Sequence, residues 1–345
     1  MQHARRLVFA RKILESQDGV ALLMVLWALT ILSVIAFSFS LVARSEGYSS
    51  ASFRAAVANR LLAEAGAERA IMELLYRKAN KGQQATVPEG GEPVRIDGTL
   101  YAGRIDKGEY TFRIIDESGK IALNALTDKT GVILRNLLTN MGYTQEAAET
   151  VVDSVLDWRD EDELHRLHGA ESEYYTTLPN PYKAKNGPFT ALEELILVKG
   201  VTPAMLYGDG KQKGIINFLT VASNSTTINV NTAPKEVLMA IPGMTPEMAQ
   251  TVLTQRQAVT TATAGAQGTQ GAQGTQDIPT LLGTKDPEIA SFLSTTESTV
   301  FGVEVTGNRE SGKQGYGYGI RAIVSLDANT GYRYIYYKSP AQVQP

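Results

Sequence analysis

The chain has 345 residues, 43% hydrophobic and 20% charged, which is enough apolar material for a membrane anchor plus about two domains and excludes wholesale disorder. A net charge of −3 argues against a general nucleic-acid binder, whose phosphate contacts call for a basic surface. With no cysteine, disulfides, thiolate chemistry and Cys-based zinc sites are excluded, and any staple beyond packing is a metal held by oxygen.

Residues 20–43 read VALLMVLWALTILSVIAFSFSLVA, without a charge, Pro or Gly. At ~1.5 Å per residue such a helix crosses the ~30 Å hydrocarbon layer of a bilayer with some tilt. Arg5, Arg6, Arg11 and Lys12 precede it, while Arg44 and Glu46 behind it nearly cancel. The positive-inside rule therefore predicts a cytoplasmic N-terminus with the rest of the chain outside. The apolar core of a cleaved signal peptide is shorter, ~7–15 residues.

Residues 51–78 are rich in Ala, Leu, Glu and Arg, all strong helix formers. Val57, Leu61, Ala65, Ile71 and Leu75 recur at roughly helical spacing and predict the buried stripe. Arg60 with Glu64, and Arg69 with Glu73, are opposite charges one turn apart. One helix over residues 20–78 would be about 90 Å long. Residues 79–97 are polar and Gly-rich, hence a loop. Three short strand signals follow, at residues 99–104, 109–116 and 120–122, with Tyr110, Phe112 and Ile114 alternating along the second.

From residue 128 to about 256 the period is helical. Helices are predicted from Thr144–Gln145 through Val155 and over residues 191–198, 203–206, 234–240 and 246–256, several opened by Pro at the first helical position. Residues 260–277 carry a duplicated GAQGTQ and predict a flexible insert. Residues 298–305, 317–326 and 331–338 read as strands, the last two joined by a hairpin loop over 327–331. Strands thus flank a helical block on both sides.

Gly19, the long apolar run and the continuous amphipathic helix resemble a type IV prepilin. The resemblance implies a leader over residues 1–19, cut after Gly19 by prepilin peptidase, with Val20 as a methylated first mature residue. That class has a Glu at the fifth mature position, where it neutralises the N-terminal amine of a neighbouring subunit; here Met24 stands there. An unpaired charge in an apolar bundle is costly, so a subunit without the Glu suits a place where no such neighbour needs pairing. This departure is similar to the minor pseudopilin K family of type II (general) secretion. DESGKIALNAL (116–126), VDSVLDWRDEDE (152–163), GAESEYY (169–175), PYKAKNGPF (181–189), LEELILVKGVTP (192–203) and TINVNTAPKEVLMAIPG (227–243) follow the order of that family.

The resemblance implies an α+β fold: a pilin-like long N-terminal helix on a small antiparallel sheet, with a large inserted all-α domain containing helix-hairpin-helix-like motifs. The expected divisions are leader 1–19, transmembrane helix 20–43, amphipathic continuation 44–78, pilin-like parts 79–123 and 298–345, and helical domain 124–297. It implies a tip cap of a pseudopilus, partnered by minor pseudopilins I and J, in the bacterial inner membrane with a periplasmic C-terminal domain. Secreted substrate and the outer-membrane secretin are further candidate contacts. A minor pilin of a type IV pilus, in adhesion or DNA uptake, is the alternative.

Asp157, Asp160, Glu161, Asp162 and Glu163 form a dense acidic run, with Glu171 and Glu173 shortly after. Hard cations take ~6–8 oxygens, but the EF-hand spacing is not met, because Leu164 and His165 stand where it wants a carboxylate or amide and a Gly. A solvated helix end is the bland reading; the family resemblance favours structural Ca²⁺, held by Asp160, Asp162 and Glu171, then Asp157 and Asn186. His165 and His168 invite a zinc reading if both face one side of a helix, but the chain has only three His. Residues 228–256 look like a helix-hairpin-helix, and Gly200 marks a similar hairpin. Both lack the second Gly that presents backbone N–H to phosphate, and few cations flank them, so protein packing is expected and nucleic-acid binding is not. No nucleophile elbow, P-loop or convincing triad appears, so nothing supports enzymatic activity.

Overall fold

The computed structural model describes residues 18–80, 94–265, 287–309, 317–327, 331–341 and 343, with side chains from residue 20 and, in the last long helix, to residue 256. Its contacts divide the chain into two units, residues 1–58 and 59–345. The elements in order are α1 (Asp18–Ala79), β1 (Asp97–Ile105), β2 (Gly108–Asp116), β3 (Ile121–Ala122), α2 (Gly131–Asn140), α3 (Gln145–Arg159), α4 (Ser172–Thr176) and α5 (Pro203–Tyr207). Then come β4 (Leu219–Thr220), β5 (Ile228–Asn229), α6 (Lys235–Ala240), α7 (Pro246–Gly265), α8 (Pro287–Ser291), β6 (Leu293–Ser294), β7 (Val300–Asn308), β8 (Tyr318–Asp327) and β9 (Gly331–Lys338).

In the first unit, residues 20–43 of α1 are uncharged and exposed on every side, with a mean hydropathy of 2.7 in the best membrane-length window and none of that window buried. A helix of this kind is long and apolar enough to cross a membrane.

In the second unit, α1 packs on a five-stranded antiparallel sheet of order β1-β2-β7-β8-β9. The face of α1 that is buried carries Leu62, Ala63, Ala67, Ala70, Ile71 and Leu74. The expected stripe lay about one residue off: of its members only Ile71 is buried, and Leu61 is 59% exposed. Small side chains decide the contact. A Cβ on Gly66 would come 2.6 Å from Val305 Cγ1, and one on Gly307 would come 2.3 Å from the Asn59 carbonyl. Helix and sheet therefore meet backbone to backbone, with Phe112, Ile114, Val303, Ile320 and Val324 closing the core from the sheet side.

The helical block between β2 and β7 has its own, larger core, built on residues such as Leu134, Leu137, Val151, Trp158, Tyr175 and Leu238. Ile121 and Leu123 belong to that core, and β3 pairs in parallel with β4. The expected third strand at 120–122 is therefore not in the pilin-like sheet, and the first pilin-like part ends at Asp116 and not at residue 123. The tight turn at Glu117–Gly119, capped by Asp116, redirects the chain there. Residues 260–265, expected in the flexible insert, are the end of α7; residues 266–277 of that insert and residues 328–330 of the expected hairpin loop lie outside the described residues.

Three helical hairpins share one local design. Gly142, Gly200 and Gly243 take φ of 92°, 86° and 79°, a region that costs glycine little. Two residues later Thr144, Thr202 and Thr245 each accept a hydrogen bond from a backbone N–H three residues on, at 3.2 Å. In the detergent-solubilised chain, Ile71→Ala should cost about 2–5 kcal/mol. Leu61→Ala should cost less than about 0.5 kcal/mol, both read by denaturant unfolding; equal costs would restore the expected stripe.

Candidate metal centre

Helix α3 starts at the Thr144 cap and ends one residue before Asp160, so Asp157 lies in its last turn and Asp160 just beyond. The loop that follows returns to Glu171, immediately before α4. Oxygens of Asp157, Asp160 and Glu171 thereby come within 4.8 Å of one another. Asp157 is fully buried and Glu171 is 3% exposed.

Asp157 has donors. Arg166 Nη1 reaches its Oδ1 at 2.7 Å, and the Arg166 backbone N–H reaches its Oδ2 at 3.1 Å. The same Nη1 reaches Asp160 Oδ2 at 2.8 Å. Glu171 is different: both carboxylate oxygens are buried and accept no hydrogen bond, and Asp160 Oδ1 and Asn186 Oδ1 share that state. Leaving such oxygens without donors costs free energy that a cation would recover. Burial, reinforced by the charges of Asp157, Asp160, Glu163 and Asp162, pushes the Glu171 carboxyl up to about 7. Burial also raises Asp157, against the opposing hydrogen bonds from Arg166.

Of the five expected ligands, the structure brings Asp157, Asp160 and Glu171 together. Asn186 takes a left-handed φ of 49° and donates through Nδ2 to Glu163 Oε1 at 3.1 Å, which keeps its own Oδ1 inside. Asp162 stands apart, exposed, its Oδ1 accepting from the Leu164 N–H at 2.8 Å. The sequence names Glu163 only as part of the acidic run and does not single out Arg166. Glu163 braces the start of α4 by accepting from Ser172 Oγ at 3.0 Å, and Arg166 bridges two acids. The donor set is all oxygen, which suits a hard cation such as Ca²⁺.

The zinc reading of the two histidines needs a helix that is not there. Residues 163–166 are irregular; His168 faces Asp153 at 3.4 Å, and His165 Nδ1 lies 3.0 Å from the Arg166 carbonyl. Lys199, the cation of the second hairpin, donates to the carbonyls of His168 and Gly169 at 3.2 and 2.9 Å, so it braces the acidic loop.

Two family models, both described as type II secretion system (T2SS) protein K, match residues 119–207 and 228–294, which lie in the helical block. The type II secretion system protein K of Pseudomonas aeruginosa is 27% identical over 255 residues, covering 70% of this chain and 73% of the relative. That of Pectobacterium carotovorum is 27% identical over 169 residues, covering 44% of this chain and half of the relative. A solved structure, a chain of the GspK-GspI-GspJ complex from the enterotoxigenic Escherichia coli type 2 secretion system, superposes with a TM-score of 0.55 at 14% identity, covering 86% of this chain and 100% of that one. The fold is thus shared where the sequences have diverged.

Glu171 makes cation-free stability depend on pH. Its folded value near 7 exceeds its ordinary 4.5, so the stability tied to it is complete below 4.5 and is lost as pH rises through 7. The loss is on the order of 3 kcal/mol. In EDTA the melting temperature should fall between pH 5.5 and pH 8. Glu171→Gln, or excess calcium with the wild-type chain, should flatten that fall; an identical slope in all three conditions would show Glu171 to be solvated.

Proposed function

Because the chain belongs to the type II secretion system protein K family, we propose that it caps the tip of a pseudopilus, together with minor pseudopilins I and J of its own pathway. Family membership separates it from the type IV pilus alternative. In this reading residues 20–43 anchor it in the inner membrane, the N-terminus is cytoplasmic, and the body lies in the periplasm. Prepilin peptidase removes residues 1–19 between Gly19 and Val20. The helical domain is the part offered to exported substrate and to the secretin.

Met24 carries the capping role. It stands on α1 with 67% of its surface exposed, in place of the carboxylate that in the pilin class neutralises the amine of a neighbouring subunit. A stem with no such carboxylate cannot offset that amine in an apolar bundle, so stacking past it is disfavoured. The solved relative was found in a complex with GspI and GspJ, which supports the partner assignment. The acidic centre contributes stiffness. Calcium held by Asp160, Glu171 and Asn186 beside Asp157 would clip the loop between α3 and α4 in a chain that has no disulfide.

Expressed with its peptidase, the chain should carry an N-methylated Val20 at its N-terminus by mass spectrometry and should co-purify with I and J. Retention of residues 1–19 beside an active peptidase would remove the prepilin reading. A clean monomer in the presence of both partners would remove the capping reading.

A further inference from the structure

The oxygens of the acidic centre fall into two sets, and one side chain divides them. Arg166 occupies Asp157 Oδ1 and Asp160 Oδ2 through Nη1, at 2.7 and 2.8 Å, and its backbone N–H occupies Asp157 Oδ2 at 3.1 Å. Its Nε reaches out to Asp128 Oδ1 at 3.1 Å, a side chain that is 82% exposed. What remains without a donor is Asp160 Oδ1, both oxygens of Glu171 and Asn186 Oδ1. One guanidinium is shared by Asp128, Asp157 and Asp160, so the acidic groups of the centre outnumber the cation that faces them.

We propose that Arg166 is a positioning residue for a divalent cation: it withdraws Asp157 from the ligand set and turns the free oxygen of Asp160 towards those of Glu171. Asp157 then acts through Arg166 and not on the ion. This inference rests on the calcium reading of the same centre. Such outer partners fix the orientation of metal ligands, and their loss typically costs about 10–100-fold in metal affinity. The opposite arrangement is equally definite: if Arg166 merely occupies the place of the ion, weakening its hold would tighten ion binding.

The test uses the full chain in detergent, with terbium as the probe and calcium as its competitor. Trp158 and Tyr175, whose rings lie 5.1 Å apart, are next to Asp157 and after Glu171 and would sensitise terbium emission. Luminescence decay in H₂O and D₂O counts the waters left on the metal. Wild type should bind terbium, and calcium should displace it. Arg166→Lys keeps the charge but loses the fork; it should weaken calcium about 10–100-fold and add at least one metal-bound water. Asp128→Asn, which frees the outer end of the guanidinium without touching the ligands, should shift both readouts the same way by a smaller factor, and it decides the matter if Arg166→Lys does not fold. Unchanged or tighter calcium binding with an unchanged water count would overturn the role of Arg166 alone. A wild-type chain that binds neither ion would overturn the calcium reading and this proposal together.

Discussion

The carboxylate of Asp116 accepts hydrogen bonds from both ends of the helical insertion. Its Oδ1 takes the N–H and hydroxyl of Ser118 at 2.9 and 2.7 Å. Its Oδ2 takes Asn229 Nδ2 at 3.0 Å and, 182 residues further along the chain, the Ser298 N–H at 3.4 Å. The group is fully buried, and burial raises its pKa despite these donors. Bonds to a charged acceptor contribute about 1.5–3 kcal/mol each, against a desolvation cost of several kcal/mol, so the net gain in stability is small and the gain in placement is large. The chain leaves the sheet after β2 and must come back beside it as β7, with Asp116 opposite Phe301. One carboxylate at the crossing fixes where the detour begins and ends. Tight backbone contacts complete the joint: a Cβ on Gly119 would come 2.8 Å from the Ala233 nitrogen.

Two buried acids in one molecule show opposite solutions to the same problem. Asp116 has four donors; Glu171 has none among the described residues. The first is a finished structural joint. The second is a buried pair of acceptors without a donor, and that geometry, more than the density of acidic residues around it, sets it apart from a solvated helix end.

The apolar run at 20–43 was legible because composition alone states it, and the split sheet was legible because alternation along Phe112 and Ile114 reappears beyond residue 298. The buried face of α1 was not, because Ala63, Gly66, Ala67 and Ala70 make up much of it, and hydrophobicity does not distinguish these small residues from exposed ones. The hairpin at Gly142 carries a weaker sequence signal, because Gln145 stands where Pro203 and Pro246 follow the other two threonines. INVNTAP (228–234) looks like the opening of a helical hairpin, and in the fold its Asn229 is part of the Asp116 joint. Of the acidic centre, the sequence showed the carboxylates but not their sorting. Asp162 turns out to solvent, and Arg166 folds back nine residues to Asp157, a return that no helical or strand spacing announces.

Stem, joint and clip then have distinct work. The apolar run of α1 over residues 20–43 is long enough to cross a membrane, the Asp116 joint ties the sheet to the helical block, and the proposed calcium clip acts within that block. The central claim is that this chain ends a filament and does not build one. The chain has no cysteine, so Lys107→Cys gives a single labelling site at the exposed β1–β2 turn. Gold labelling of assembled pseudopili, viewed by electron microscopy, should show one particle at one end of each filament. Particles repeated along the shaft would contradict the account.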